Sequence, residues 1–422
     1  MEKKEVETEE ISVDSAKRSD VEVFVLDNGL RCVFRRSRGI SYCGIAVGAG
    51  ARDERVGEYG LAHFVEHTLF KGTTHRRSRH ISSRMESVGG ELNAYTTKEE
   101  TLVYTVAPPG YVGRAMELLS DLVSNSVFPT SELEKEKEVV IDEINSYLDS
   151  PSEAIFDEFE DLLYAGSGLG HNILGTPESV RSLSGEDCLR FVRTHYTPER
   201  MVVYCMADED ASRVKKLMTK YFSGLTRLES KRECGGVGLY VPFHEVRDNS
   251  RHQSHTLIGT RVFGRNDPRR YALFLLNNYL GGPSMNSVLN RELRDKRGYV
   301  YTVDSLVGLL SDCGAFQVYF GCDREHVRPC SRIVRHVLEQ LADHALKPRV
   351  FEAARRQYLG QLQVATSYAE SQAMNLGKSM LYYGRILDIG TTSSVLRDLR
   401  AEEVREVAQL IVESGLSSLT LS

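Results

Sequence analysis

The chain has 422 residues, more than one hydrophobic core ordinarily serves, so two domains of about 200 residues are expected. Its 41% hydrophobic and 27% charged residues are ordinary for a soluble globular protein, and a net charge of −6 offers nothing to nucleic acid or an anionic membrane. No apolar run approaches the roughly 18 residues of a membrane span.

Residues 1–20 are polar and rich in glutamate. They lack the apolar core of a secretory signal and are too acidic for a mitochondrial presequence, so they are expected to form a disordered tail on a cytoplasmic protein. Residues 21–225 read as a first domain. Val21 to Arg36 alternates about Asn28-Gly29, a hairpin signal. A strand from Ile40 to Val47 and a turn from Gly48 to Arg52 follow. After the segment around residues 61–70 come a basic loop, Thr73 to Arg79, and a short helix, Ile81 to Val88. Gly89-Gly90 then opens a second hairpin, Glu91 to Ala107. Helices are expected over Val112 to Ser124, Ser131 to Tyr147 (with Ser131 and Glu134 as a capping box), Ala154 to Ala165 and Gly185 to Thr194, and a strand over Met201 to Ala207.

The segment HFVEH, residues 63–67, carries the chemistry. On a helix, His63 and His67 stack on one face and reach one ion from the same side. Two imidazoles suit zinc, and the adjacent Glu66 carboxylate is placed to take a proton from a water that the metal activates. The spacing is the reverse of H-E-x-x-H. Leu61, Phe64, Val65, Leu69 and Phe70 make the helix apolar on nearly all sides, hence buried. Two imidazoles and a carboxylate buried together need a counterpart, and a divalent cation supplies it.

A catalytic zinc ordinarily takes three protein ligands. At about 100° per residue, Leu133, Glu136, Val139, Val140, Glu143, Ile144 and Tyr147 share one stripe of the next long helix. Glu136 and Glu143 sit within that apolar stripe, whereas Glu134, Glu138 and Asp142 face elsewhere. Carboxylates aimed into a core need a cation, either a metal or a basic side chain. Periodicity leaves both candidates open as the third ligand.

Residues 226–241 read as a polar linker and residues 242–422 as a second domain in which the element order repeats: strand 255–262, helices 269–280 and 286–296, hairpin 299–320, helices 326–344 and 349–383, helix 401–413 and strand 416–421. The expected architecture is α+β, two homologous domains, each a mostly antiparallel sheet with helices packed on one face. The second copy has no H-x-x-E-H, so one metal per chain is expected. Cys32, Cys43, Cys188, Cys205, Cys234, Cys313, Cys322 and Cys330 contain no C-x-x-C pair and read as buried thiols.

GLAHFVEHTLFKGT, GGELNAYTTKEET, EKEVVIDEI, YTPERMVV and, in the second half, GGPSMNSVLNRELRDKRGYVYTV together resemble the pitrilysin-type inverzincins. The likeness is to their bacterial branch, which is similar to the mitochondrial processing peptidase, and it spans nearly all of the chain beyond residue 20. The resemblance implies a zinc endopeptidase acting on short or extended peptides. It makes His63, His67 and Glu143 the zinc ligands, Glu66 the general base and Glu136 a carboxylate supporting the site. It places Asn93, Ala94 and Tyr95 on a strand that pairs with the substrate, and has Arg294 and Tyr301 hold the substrate from the second domain. Short subunits of this branch commonly pair, so a homodimer is expected. One departure is the loop Gly281-Gly282-Pro283-Ser284, poorer in glycine than is usual in the family; the chain also carries both the metal and the Arg/Tyr motifs, as a self-sufficient subunit would. The alternative functions are a noncatalytic core subunit and a peptide-binding module.

Overall fold

A computed structural model of the chain describes residues 20–227, 235–248 and 253–422. The expected tail up to residue 19, part of the expected linker and Cys234 lie outside the described residues. The first half runs β1 (Val21–Val25), β2 (Arg31–Arg36), β3 (Ser41–Val47), α1 (Leu61–Leu69), α2 (Ser78–Glu86), β4 (Glu91–Thr96), β5 (Thr101–Ala107), α3 (Val112–Asn125), α4 (Thr130–Leu148), α5 (Pro151–Leu163), α6 (Pro177–Ser182), α7 (Gly185–His195), β6 (Met201–Ala207) and α8 (Ala211–Phe222). The second half runs β7 (His244–Arg247), β8 (Gln253–Phe263), α9 (Arg270–Gly281), β9 (Val300–Leu309), β10 (Cys313–Asp323), α10 (Val327–Asp343), α11 (Pro348–Ala365), α12 (Ala369–Tyr383), α13 (Ile389–Asp398), α14 (Ala401–Glu413) and β11 (Ser417–Leu421).

The two sheets have matching topology. The first is ordered β1-β2-β6-β3-β5-β4 and the second β7-β11-β8-β10-β9. Each contains one parallel pair, β2 with β6 and β7 with β11, and is otherwise antiparallel. Setting β2 on β7, β6 on β11, β3 on β8, β5 on β10 and β4 on β9 superposes one order on the other; among the described residues β1 alone has no counterpart. This is the duplicated α+β unit the repeat of elements predicts.

Within each half, helices cover one face of the sheet. In the first, Phe64, Leu69, Leu118 and Leu122 pack with Ile45, Val103 and Val203. The other face is covered from the opposite half, an arrangement that local sequence patterns do not encode. Helix α5 lays Ile155, Phe159 and Leu163 against Leu257, Tyr319 and Leu419 of the second sheet. Helix α12 lays Ala373, Leu376 and Met380 against Val33, Val202 and Tyr204 of the first. Gly377 permits this approach, because a Cβ there would stand 2.5 Å from the Tyr204 ring.

Several boundaries differ from expectation. α4 starts at Thr130 with Pro129 as its N-cap, so Ser131 is already inside the first turn and makes no cap; Glu134 pairs instead with Lys137 at 2.8 Å. The buried stripe of α4 is rotated slightly: Lys137 and Ile141 are buried, whereas Val139 is 50% exposed and Tyr147 is also exposed. The expected helix 349–383 is two helices, α11 and α12, parted at residues 366–368 so that the second can cross to the other half. The helix expected over 286–296 is shorter and ends in a π-helical turn, Asn290–Asp295. Seven cysteines are buried and free, and among the described residues no helix is long and apolar enough to cross a membrane.

Because Phe159 fills the core of the opposite half, Phe159→Ala is expected to cost about 3–5 kcal/mol. In urea unfolding followed by circular dichroism, a single transition with a lowered midpoint is expected, and an unchanged midpoint would contradict the crossed packing.

Candidate metal centre

Helix α1 is held by burial on most of its surface: Leu61, Phe64, Val65 and Leu69 are almost wholly inaccessible. Its N-terminus follows Gly60, whose φ of 92° turns the chain into the helix. The buried Glu54 carboxylate accepts from the amides of Gly60 (3.0 Å) and Ala62 (2.7 Å), placing negative charge where the helix dipole favours it. Burial pushes the Glu54 carboxyl upward, against the hydrogen bonds from His171 and these amides.

His63 and His67 emerge on one face of α1 with ring centroids 4.5 Å apart. Helix α4 crosses this face and presents Glu136 and Glu143, two turns apart. The structure separates the two carboxylates. Glu143 Oε2 stands 3.5 Å from His67 Nε2 and 3.9 Å from His63 Nε2. Glu136 Oε1 stands 3.0 Å from the other nitrogen of His67, Nδ1, while its Oε2 meets the Lys71 ammonium at 2.5 Å. Ligand atoms of His63, His67 and Glu143 all lie within 4.8 Å of one another. Tetrahedral zinc with bonds near 2.0–2.1 Å spaces its ligand atoms roughly 3.4 Å apart, so this donor set fits such an ion with little adjustment. Nδ1–H of His67 donating to Glu136 leaves the Nε2 lone pair for a metal.

The electrostatics follow the placement. Burial, reinforced by the neighbouring His67, pushes His63 down to about 3, which keeps it a neutral ligand at ordinary pH. Burial also disfavours charge on His67, but the Glu136 hydrogen bond and the Glu66 and Glu143 carboxylates outweigh it and raise its pKa. Glu136 is held below the usual carboxylate range by His67 and Lys71, in spite of burial. Glu66 is pushed upward by burial, with Thr96 and His67 acting the other way; its Oε2 is buried without a hydrogen-bond partner among the described residues.

These groups open into a cleft of about 350 Å³ whose lining includes Tyr95, Thr96, Tyr147, Asp157 and Asn172. Asn93, Ala94 and Tyr95 lie on β4, the edge strand of the first sheet, opposite Tyr104, Val103 and Leu102 of β5. The outer edge of β4 has no strand partner among the described residues. Arg294 and Tyr301 are not brought to this cleft. Arg294 is exposed on the π-helical turn, and Tyr301 is 59% exposed at the start of β9, donating to Asp323 at 2.9 Å.

Sequence reasoning missed Glu54, Lys71, Thr96, Asp157 and Asn172. Two carried a signal: Lys71 continues the His63–His67 spacing by four, and Thr96 shares the face of Ala94 at strand period. The others are joined to the site only by tertiary packing.

A duplicated α+β chain with two imidazoles and a carboxylate converging on one half has the layout of a metallopeptidase subunit. Comparison with known proteins agrees. Residues 34–177 match the family model described as insulinase (peptidase family M16), and residues 182–358 match that of the peptidase M16 inactive domain. The uncharacterized zinc protease YmxG of Bacillus subtilis is 30% identical over 92% of this chain and 95% of its own. The mouse mitochondrial-processing peptidase subunit beta is 27% identical over 92% of this chain and 81% of its own. A protease from Helicobacter pylori shares the fold with a TM-score of 0.86 at 19% identity, over 95% of this chain and 99% of that one. The chain belongs to the insulinase family, peptidase family M16, and is a metallopeptidase by kinship.

If Glu136 orients His67, Glu136→Gln is expected to weaken zinc binding by about 10- to 100-fold. Competition with a fluorescent zinc chelator measures this, and affinity equal to wild type would remove Glu136 from the site.

Proposed function

We propose that the chain is a zinc-dependent endopeptidase, binding one Zn²⁺ and cutting extended or unfolded peptides. One observation carries the reading: the Oε2 of buried Glu66, without a partner among the described residues, shares a cleft with the His63, His67 and Glu143 ligand atoms, beside a sheet edge that no described strand covers. Zinc bound by His63, His67 and Glu143 supplies an acidified water and a Lewis acid for the scissile carbonyl. Glu66 Oε2 accepts the proton of the attacking water and returns it to the leaving amine. Glu136 holds the His67 ring, and the free edge of β4, through Asn93, Ala94 and Tyr95, aligns the substrate backbone as an added strand, a mode that only an unfolded segment satisfies.

Arg294 and Tyr301 suit a substrate-holding role but do not line the cleft. The two halves of one chain are already joined through α5 and α12, so we assign their delivery to a second copy: a homodimer in which each cleft receives Arg294 and Tyr301 from the partner. With zinc bound, its charge offsets Glu143 and Glu66, which leaves Asp157 as the acidic group among the described lining residues, with no Lys or Arg beside it, so a basic substrate side chain near the cut bond is favoured.

Glu66→Gln is expected to retain zinc while turnover falls by about 10²–10⁴-fold, the usual share of a general base; undiminished activity with zinc in place would refute the role. Mixing inactive Glu66→Gln with inactive Arg294→Ala chains is expected to restore activity through hybrid dimers with one intact cleft. No recovery in a mixture shown to exchange subunits would refute the shared site. Mass-spectrometric mapping of cut sites is expected to show enrichment of Lys or Arg beside the cleaved bond, reduced in Asp157→Asn; a profile blind to charge would refute the preference.

A further inference from the structure

The turn joining β4 to β5, residues 97–100, is half-buried at Thr97 and buried from there on, although such turns are ordinarily exposed. Lys98, Glu99 and Glu100 are each inaccessible and each tied to a different part of the molecule. Lys98 donates to the His171 carbonyl of its own half. Glu100 pairs with Lys378 of α12 at 2.8 Å. Glu99, 2% exposed, accepts from four donors: Arg52 at 2.7 Å, Arg265, the Ser311 amide at 2.9 Å and the Ser311 hydroxyl at 2.6 Å. Three of these belong to the second half, and Ser311 lies in the turn between β9 and β10, the counterpart of the β4–β5 turn. The exchange is reciprocal. Arg52 of the first half reaches Asp312 of the second half's turn at 2.6 and 2.7 Å, as Arg265 of the second half reaches Glu99. The Tyr382 ring of α12 lies 3.7 Å from the Arg265 guanidinium.

This joint sits at the end of β4. Among the described residues that strand is bonded to a neighbouring strand on one edge only, so its position depends on β5, the helices beneath it and its tip. Its last residue, Thr96, lines the cleft beside Glu66, and Lys378 of α12 also stands over the Tyr95 ring at 5.0 Å. The metal-free half therefore grips the strand that faces the metal.

We propose that Glu99 is a positioning residue: through the buried joint with Arg52, Arg265 and Ser311, the second half sets the height and register of β4, and with it Thr96 against Glu66 and the substrate edge against the metal. The consequence for cleavage rests on the peptidase reading above; the consequence for β4 itself does not.

Hydrogen exchange of the zinc-loaded chain tests it, with Glu99→Gln, which keeps shape and removes charge, and the milder Ser311→Ala, which keeps both guanidinium contacts. The β4 amides bonded to β5 are expected to exchange about tenfold faster in Glu99→Gln, and measurably faster in Ser311→Ala, with β3 and β6 unchanged, as for loss of buried hydrogen bonds at one local unit. If Glu99→Gln does not fold, Ser311→Ala decides. Unchanged β4 exchange, or equal acceleration in every strand, would overturn the proposal. On a peptide cut by wild type, KM is expected to rise about tenfold, kcat to fall by less, and cleavage to spread to neighbouring bonds, as binding along β4 and register are lost. A fall in kcat alone, with unchanged KM and cut sites, would mean fewer folded molecules and also overturn it. If wild type cuts no peptide, the peptidase reading fails while the exchange result still decides the clamp.

Discussion

The site depends on the crossing of two helices. α1 supplies an imidazole with two usable nitrogens, and α4 supplies two carboxylates seven residues apart, so a single His67 ring is gripped at Nδ1 by Glu136 and faces Glu143 with Nε2. Shifting α4 along its axis by one residue, about 1.5 Å, breaks both relations together. Burial of Leu133, Val140 and Ile144 against the core holds that register, and Glu54 caps the other helix at its start.

The same economy runs through the chain as a whole. A unit that covers one face of its sheet with its own helices leaves the other face apolar, and duplication provides a helix to cover it. α5 and α12 occupy corresponding positions in the two halves and each crosses to the other sheet. The second half thus keeps a structural role after forgoing metal ligands, and the ion-paired turns at Glu99 and Asp312 join the halves next to the cleft. Association of the halves along these surfaces leaves the β4 edge without a strand partner among the described residues.

The features legible in the sequence were those encoded locally. The spacing of His63 and His67, the Asn28-Gly29 hairpin and the order of elements in each copy follow from short-range periodicity, and they fixed the fold class. The stripe on α4 placed Glu136 and Glu143 on one face but left their roles open, because the distinction lies in which nitrogen of His67 each meets, a tertiary relation. The capping box at Ser131 failed because the N-cap falls on Pro129, two residues earlier. The break near residue 366 went unseen because no proline or glycine marks it; the reason for it is the sheet that α12 must reach. Nothing in the local pattern of Lys98, Glu99 and Glu100 marks them for burial; for Glu99 and Glu100 it is contacts from the second half that account for it. Arg294 and Tyr301 drew notice through family resemblance, since neither has a local pattern that separates it from a surface charge or an ordinary strand tyrosine.

The most direct measurement is digestion of an unstructured peptide library by purified protein of determined zinc content, with and without a chelator, read by mass spectrometry. One zinc per chain, cleavage abolished by chelation and restored by added zinc is the predicted result. Protein carrying one zinc per chain that cuts no peptide would contradict the account and move the chain to a binding or structural role.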